Sequence, residues 1–208
     1  IPFSGGGRWL VYNKDMFEEA GLDPEQPPKT LDELAEYADK LTKVGDNGEI
    51  EVLGFHPSLG NVSFRDYVLN RGSVFFDENS NPVVNSDANL ETLEWYVDMT
   101  NKYGAKQVQS LEAASKTTGI DPLLSGYVAM EVNVVDFYKK LSESDLNYGV
   151  ALMPGLKEGE NTTQGGSFDL EIFDHGDQAK IDAAWEFIKF MTSVESQQYW
   201  AVDNKWPS

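Results

Sequence analysis

Residues 12–34 read YNKDMFEEAGLDPEQPPKTLDEL, which predicts two short helices on either side of a rigid turn. Asn13 or Asp15 is placed to cap the first helix. Gly21 is placed to end it, because glycine accepts the left-handed conformation found at helix C-termini. The prolines of DPEQPP cannot continue the helix, since proline lacks the amide proton and fixes φ.

The second helix of this segment begins at Thr30. Glu33 follows three residues later, which is the spacing of a capping box. Apolar residues then recur at helical spacing and form one stripe, made of Leu31, Leu34, Ala35, Ala38 and Leu41. This stripe predicts that the helix packs one face on a core.

The composition excludes several classes of function. The 208 residues carry a formal net charge of -19, which repels nucleic acid and anionic lipid surfaces. Cysteine is absent, so disulfides, thiolate zinc sites and cysteine nucleophiles are excluded. No run approaches the roughly 18 apolar residues of a membrane span. The chain opens on IPFSGGG rather than on Met, and we expect it to be a mature product or an excised piece.

The remaining segments alternate predicted helices and strands. A short buried strand is predicted at 52–55, and YVAMEVN at 127–133 alternates so that Val128, Met130 and Val132 share one face. Further strands are predicted in YGVALMP and GGSFDLEIF. About seven helices and five or six strands in mixed order indicate an α/β fold.

The longest predicted helix covers 87–103, with Leu90, Leu93 and Val97 facing inward. Asp177 is placed to cap a later helix that contains AAWEFIKFM.

The segment DENSN at 77–81 lies between SVFF and PVVN, which is the layout of a hairpin. Its alternating acids also resemble a calcium loop. However, Pro82 occupies the position of the required glycine and Ala88 the position of the required glutamate, so calcium is disfavoured and no metal is expected.

Five blocks of sequence together indicate a family. They occur in the order GGRWLVYNKDMFEEAGLDPEQPPKTLDEL, LLSGYVAMEVN, YGVALMPG, GGSFDLEIF and AAWEFIKFMTSVESQQYWA. The chain resembles the extracellular solute-binding proteins of bacterial ABC importers, in the sugar-binding group that includes maltose-binding protein. The resemblance covers nearly the whole chain and implies two α/β lobes, each a mixed sheet flanked by helices, that close on a ligand.

The resemblance also implies a domain organisation. Residues 1–163 are expected to form most of one lobe, and residues 164–208 to cross back toward a lobe that is absent from this chain. The last segment, NKWPS at 204–208, resembles the start of a further crossing. The family implies a carbohydrate ligand, ABC permease subunits as partners, no cofactor, no nucleic acid, and a location outside the cytoplasm, either in the periplasm or as a surface lipoprotein.

Sugar sites combine aromatic faces with side chains that hydrogen-bond hydroxyl groups, and loops at strand ends offer such groups in α/β proteins. Matching the family blocks to the sequence selects ten candidate ligand-binding residues. They are Arg8, Trp9, His56, Asn61, Asn133, Asp136, Phe137, Ser167, Phe168 and Asp169. The family often has Trp where this chain has Ser167, and again near Val135 or Asp136, so Phe168 or Phe137 would have to replace it.

Each candidate also has an ordinary structural interpretation. Phe137 and Phe168 fit a core, and Trp9 fits a hinge plug. Three polar candidates fit roles in turns and helix ends: His56 as an exposed turn residue, Asn133 as a helix cap and Asp136 as a partner of a helix dipole. Four aromatics on helices are expected in the core, namely Trp95, Tyr96, Trp185 and Trp200.

Three functions compete. The first is capture of a carbohydrate for an importer, without chemistry. The second is a glycoside hydrolase, which needs two carboxyl groups about 5–9.5 Å apart; with 35 Asp and Glu residues, some pair always fits, so this signal is weak. The third is an isolated lobe with negligible affinity, since one wall cannot bury most of a ligand.

Overall fold

The structure of the chain is a computed structural model that describes residues 1–174 and 176–205. Its strands are β1 (Pro2–Gly6), β2 (Arg8–Asn13), β3 (Lys43–Val44), β4 (Ile50–Val52), β5 (Met130–Val134), β6 (Tyr148–Leu152) and β7 (Gly166–Asp169). Its helices are α1 (Lys14–Glu19), α2 (Leu31–Leu41), α3 (Phe64–Asn70), α4 (Asp87–Lys102), α5 (Ala105–Thr118), α6 (Tyr138–Ser142), α7 (Gln178–Met191) and α8 (Val194–Gln198). The end of the expected crossing segment NKWPS, residues 206–208, lies outside the described residues.

The chain divides into two compact units. The larger unit contains residues 8–133 and 144–164, and the smaller unit contains residues 1–7, 134–143 and the described part of 165–208. One boundary between the two units falls between residues 164 and 165, close to the predicted lobe boundary after residue 163. The assignment of these segments to two lobes stays a prediction.

The larger unit is built on a three-stranded sheet in the order β5-β2-β6. β2 and β6 are antiparallel, with Trp9 opposite Leu152 and Tyr12 opposite Gly149. A Cβ at Gly149 would lie 2.1 Å from the Tyr12 ring, so only glycine lets that ring cross β6. The buried core around the sheet comprises Leu10, Tyr12, Phe17, Leu31, Leu34, Ala38, Leu41, Phe55, Tyr67, Met99, Ala129, Met130, Val132 and Met153. Fully burying one such large side chain contributes about 1.5–3 kcal/mol.

The two predicted helices of residues 12–34 are present as α1 and α2. The Asn13 side chain accepts from the Met16 amide at 3.1 Å, and Gly21 has a φ of +73° just after α1. Thr30 caps α2 by accepting from the Glu33 amide at 3.1 Å. The Glu33 carboxylate accepts from the Lys29 amide at 2.7 Å, so it closes the capping box one residue earlier than predicted.

The strand predicted within residues 127–133 is present from Met130 as β5, and residues of both its faces are buried. Ala129, Met130, Glu131 and Val132 are all fully buried, on both faces of the strand. β5 lies in the interior, because Gly60 makes a parallel bridge to Val132 and Leu53 makes another to Val128 just before the strand.

The predicted inward face of α4 is also wrong. Leu90, Leu93 and Val97 are each more than two-fifths exposed, whereas Asn89, Thr92 and Met99 are buried. Hydrogen bonds explain the difference. The Asn89 side-chain amide donates to the carbonyls of residues 74, 83 and 84, which turns the face of α4 that carries Asn89 inward. Periodicity of apolar residues could not reveal such a hydrogen-bonding face.

Two further segments differ from the sequence prediction. Helix α5 was not predicted, because its sequence is mostly polar and only Val108 and Leu111 of its described side chains are buried. The hairpin around 77–81 is reduced to one antiparallel bridge between Phe76 and Pro82. Asp77 holds the turn by accepting from the amides of residues 79 and 81.

The smaller unit pairs β1 with β7 in an antiparallel ribbon. Asp177 caps α7 as predicted, accepting from the Ala179 amide at 3.1 Å. Trp200 packs edge-on against Phe3, with ring centroids 5.4 Å apart. Trp185 is 45% exposed, so its assignment to a core is wrong within this chain.

The smaller unit also exposes apolar side chains along α7 and beyond, notably Phe187, Phe190, Tyr199 and Val202. Among them is a groove of about 580 Å³ that Phe190, Tyr199 and Trp200 line. No helix in the described residues is both long enough and apolar enough to cross a membrane.

Candidate functional site

The candidate site of the larger unit lies at one edge of its sheet, where β2 begins and β5 and β6 end. Trp9 at the start of β2 lies opposite Leu152 at the end of β6. β2 and β5 run in opposite directions, because the Asn13 amide donates to Ala129 before β5 starts. The start of β2 therefore meets the end of β5. Four of the ten candidates lie at this edge by the positions of their backbones: Arg8, Trp9, Asn61 and Asn133. Arg8 and Trp9 are consecutive on β2, so their side chains project from opposite faces of the sheet.

Asn61 reaches this edge because the preceding glycine lets its loop approach β5 closely. Gly60 has a φ of +86°, and a Cβ there would lie 2.2 Å from the Val132 carbonyl oxygen. The Asn61 amide donates to that same oxygen at 3.1 Å. The Asn61 side chain is exposed. Glycine is the only residue type that fits the backbone position of residue 60.

Arg8 is held by three segments of the larger unit. Its Nε donates to the Asn61 carbonyl at 3.0 Å, and its Nη1 lies 3.1 Å from Oδ1 of Asp66. Its backbone amide donates to Oγ1 of Thr163 at 2.9 Å. Asp66 is 1% exposed, and its other oxygen accepts from the Ser63 amide and hydroxyl at 2.8 and 2.7 Å.

Asn133 lies at the end of β5 and is buried. Its Nδ2 donates to Oε1 of Glu131 at 2.7 Å. The residue that precedes the short 3₁₀ turn Val135–Phe137 is Val134, so the interpretation of Asn133 as a helix cap is wrong. The Asn133 amide and the Glu131 carboxyl group instead form a buried hydrogen-bonded pair near the end of β5.

Trp9 is the exposed aromatic of this edge. Its side chain is 38% exposed, and its strand neighbour Leu152 is 63% exposed on the same face. An indole with a free face covers the apolar side of a sugar ring in the way that sugar sites require.

His56 lies in the predicted loop but is 2% exposed, so its interpretation as an exposed turn residue is wrong. Nδ1 accepts from the Ser58 amide at 3.3 Å, and Nε2 lies 3.5 Å from the Thr100 carbonyl. Burial lowers the pKa of His56, and the contact with Thr100 opposes that shift. The neutral ring therefore ties the loop to α4.

The other five candidates belong to the smaller unit. Phe137 is 6% exposed, so it packs inside that unit, and Asp136 lies in the same short 3₁₀ turn. Phe168 on β7 is 66% exposed, which contradicts its interpretation as a core residue. Asp169 and Ser167 are exposed on the same strand, with the Ser167 hydroxyl 3.4 Å from Oδ2 of Asp169.

Asp66, Glu131 and Thr163 are site residues that the sequence analysis missed. Asp66 carries a recognisable signal, because it follows Ser63 by three residues, as in a capping box. Thr163 carries none, since its contact with Arg8 is distant in sequence, and the burial of Glu131 is not signalled by its residue type. Within the part of the chain that the structure describes, no three acidic or histidine side chains gather as a metal site would require.

The larger unit thus has an α/β fold with an exposed indole, an exposed amide side chain and a guanidinium paired with a carboxylate at one edge of its sheet. The chain belongs to the family of bacterial extracellular solute-binding proteins, whose model matches residues 1–198. The sequence-based identification of the family and of its α/β fold is confirmed.

Curated relatives and solved structures agree with this family. The sn-glycerol-3-phosphate-binding periplasmic protein UgpB of Yersinia enterocolitica is 27% identical over 96% of this chain. CpMnBP1, solved with mannotriose bound, is 29% identical over 94% of the chain with a TM-score of 0.78. MalE3 of T. maritima, solved with maltose, shares the fold with a TM-score of 0.78 at 24% identity and 100% coverage of this chain.

The chain spans about half the length of these relatives. It covers 46% of UgpB, 51% of CpMnBP1 and 53% of MalE3.

Proposed function

We propose that this chain supplies one wall of a carbohydrate-binding cleft in the substrate-binding component of an ABC importer. The observation that carries the proposal is the sheet edge at which the backbones of Arg8, Trp9, Asn61 and Asn133 lie and where the Trp9 and Asn61 side chains are exposed. Covering half of one aromatic face contributes on the order of 2 kcal/mol at about 25 cal/mol per Å². Hydrogen bonds to amides add about 0.5–1.5 kcal/mol each.

The ligands of solved neighbours support this class of substrate. CpMnBP1 binds mannotriose and mannobiose in structures that are 29% and 30% identical to this chain. The ligand proposed here is likewise a mono- or oligosaccharide, held without bond breaking. The smaller unit's Asp136, Phe137, Ser167, Phe168 and Asp169 stay candidate ligand contacts, as does His56 through its loop.

The remaining family features are part of the same proposal. The protein delivers its ligand to permease subunits in the membrane, and it lies outside the cytoplasm, in the periplasm or anchored as a lipoprotein. Residues 164–208 pack against a second lobe, which accounts for the exposed apolar side chains of α7. This chain alone therefore binds carbohydrate only weakly, because one wall leaves most of the ligand in water.

Calorimetry tests the proposal. The complete gene product is titrated with mannobiose, maltose and tagatose, and the 208-residue chain is titrated in parallel. Stoichiometric binding by the complete product, weak binding by the shorter chain and no product on chromatography are expected. Release of reducing ends would instead establish a glycoside hydrolase, and an absence of binding across a broad panel would refute carbohydrate capture.

A further inference from the structure

The cation at the candidate edge is already neutralised inside the protein. The Arg8 guanidinium pairs with the Asp66 carboxylate at 3.1 Å and donates through Nε to the Asn61 carbonyl at 3.0 Å. A phosphate group needs an uncompensated cation or a set of free amides, since a paired guanidinium presents little net field. Arg8 therefore offers a phosphate little net attraction.

Asp66 cannot leave Arg8 without cost, because it is held from its other side. The Ser63 amide and hydroxyl both donate to Oδ2 of Asp66, and the carboxylate is 1% exposed. This arrangement fixes the carboxylate while Oδ1 faces Arg8. Such a buried carboxylate, held through Oδ2 and ion-paired through Oδ1, competes with any anion that approaches the guanidinium.

The surrounding groups do not restore a positive charge. The Glu131 Cβ lies 3.5 Å from the position of a Cβ built at Gly60, and the Glu131 carboxyl group accepts from Nδ2 of Asn133 at 2.7 Å. Arg65 precedes Asp66 on α3, and one residue turns the side chain about 100° around a helix, away from the face that meets Arg8. The carboxylate of Asp66 is therefore the charged group that pairs with the Arg8 guanidinium.

We propose that this edge selects the uncharged part of a polyol or sugar and disfavours a phosphate ester, with the Arg8–Asp66 pair as the determinant. This inference rests on the proposed carbohydrate function and adds a preference for uncharged ligands over phosphate esters. It separates this chain from the relatives named for sn-glycerol 3-phosphate, with which it shares 26–28% identity.

NMR titration of the 208-residue chain tests the inference with defined probes. The signals of the Arg8 Nε–H and the Asn61 backbone amide are followed as glycerol 3-phosphate is added. Glycerol is the uncharged probe of the same carbon skeleton, and sodium sulfate corrects for ionic strength. Asp66→Asn keeps a carbonyl that accepts from Ser63 but removes the charge that neutralises Arg8.

The matched control is Asp39→Asn. Asp39 pairs with Lys102 at 2.7 Å on α2 and α4, so this variant changes the net charge equally without touching Arg8. A saturable shift of the Arg8 signal by glycerol 3-phosphate is expected in Asp66→Asn, and in neither Asp39→Asn nor the unaltered chain.

Each outcome decides the inference. A saturable shift in the unaltered chain overturns it, and the absence of a shift in a folded Asp66→Asn overturns the role of the pair. If Asp66→Asn does not fold, the titration of the unaltered chain decides, because the inference requires that glycerol 3-phosphate leave Arg8 unperturbed there. Failure of the proposed function is read separately, from carbohydrate calorimetry of the complete gene product.

Discussion

Gly60→Ala is expected to destabilise the larger unit and to displace the loop that carries Asn61. An alanine at a φ of +86° is strained, and its Cβ would lie 2.2 Å from the Val132 carbonyl oxygen. Gly21→Ala is the matched control. Gly21 has a φ of +73°, but a Cβ there would meet nothing within 4 Å, so the control isolates backbone strain.

The magnitude follows from three contributions. The left-handed conformation costs an alanine about 1–2 kcal/mol at either position. At Gly60 the methyl group must also push β5 aside, which costs about 1–3 kcal/mol in a close-packed interior. It also breaks the 3.1 Å hydrogen bond from the Asn61 amide to Val132, worth about 0.5–1.5 kcal/mol. We expect about 3–5 kcal/mol for Gly60→Ala and about 1 kcal/mol for Gly21→Ala.

Hydrogen exchange of buried amides in β2 and β5 is the appropriate assay, because it reports the opening free energy of this unit alone. Thermal unfolding supplies a second readout, with a fall in Tm of roughly 10 °C for Gly60→Ala and about 3 °C for Gly21→Ala. Equal losses of stability in the two variants would refute the argument that close approach to Val132 requires glycine.

Three further predictions concern His56, Trp9 and Phe190. Because burial lowers the pKa of His56 in the fold, the unfolded chain binds the proton first, and stability falls as the pH drops below about 6.5. His56→Gln should reduce the dependence of the unfolding free energy on pH, measured by urea unfolding between pH 7 and pH 5. An unchanged dependence would contradict the assignment of the lowered pKa to His56. Trp9→Ala should weaken carbohydrate binding by the complete gene product about tenfold or more in calorimetry, since an aromatic face contributes on the order of 2 kcal/mol; unchanged affinity would remove Trp9 from the site. Phe190→Ser should lower the fluorescence of a hydrophobic dye bound to the 208-residue chain, because Phe190 is 61% exposed beside an apolar groove; undiminished fluorescence would place the dye elsewhere.

Local chemistry accounts for what the sequence predicted well. The caps at Asn13, Thr30 and Asp177 depend on groups only two or three residues apart, and Gly21 acts through its own φ. Such interactions are present in the sequence itself, so no knowledge of the fold is needed to find them. The family resemblance then supplied the α/β architecture that these short signals could not.

Long-range contacts account for what the sequence could not predict. The inward face of α4 depends on the Asn89 amide, whose partners lie on other segments. The burial of His56 depends on Thr100, and the double burial of β5 depends on Leu53 and the loop at Gly60. In each case a polar contact or a neighbouring strand decides the environment of a residue whose own type is uninformative.

Arg8 illustrates why the candidate site differs from its sequence-based description. The family resemblance selected Arg8 as a candidate ligand contact, and its side chain contacts Asn61 and Asp66 in the structure, so a direct contact with a ligand stays a prediction. A buried ion pair is weak evidence for stability, because desolvation offsets much of its attraction. Its consequence is geometric instead: Asp66 holds the guanidinium, and the Arg8 Nε–H in turn fixes the backbone carbonyl of Asn61 and the position of its loop. If that is its role, Arg8→Lys should preserve the charge but loosen the loop, since a lysine cannot hold two acceptors in one plane. Faster hydrogen exchange at Asn61, with the β2 amides unchanged, would distinguish such a positioning role from a general contribution to folding.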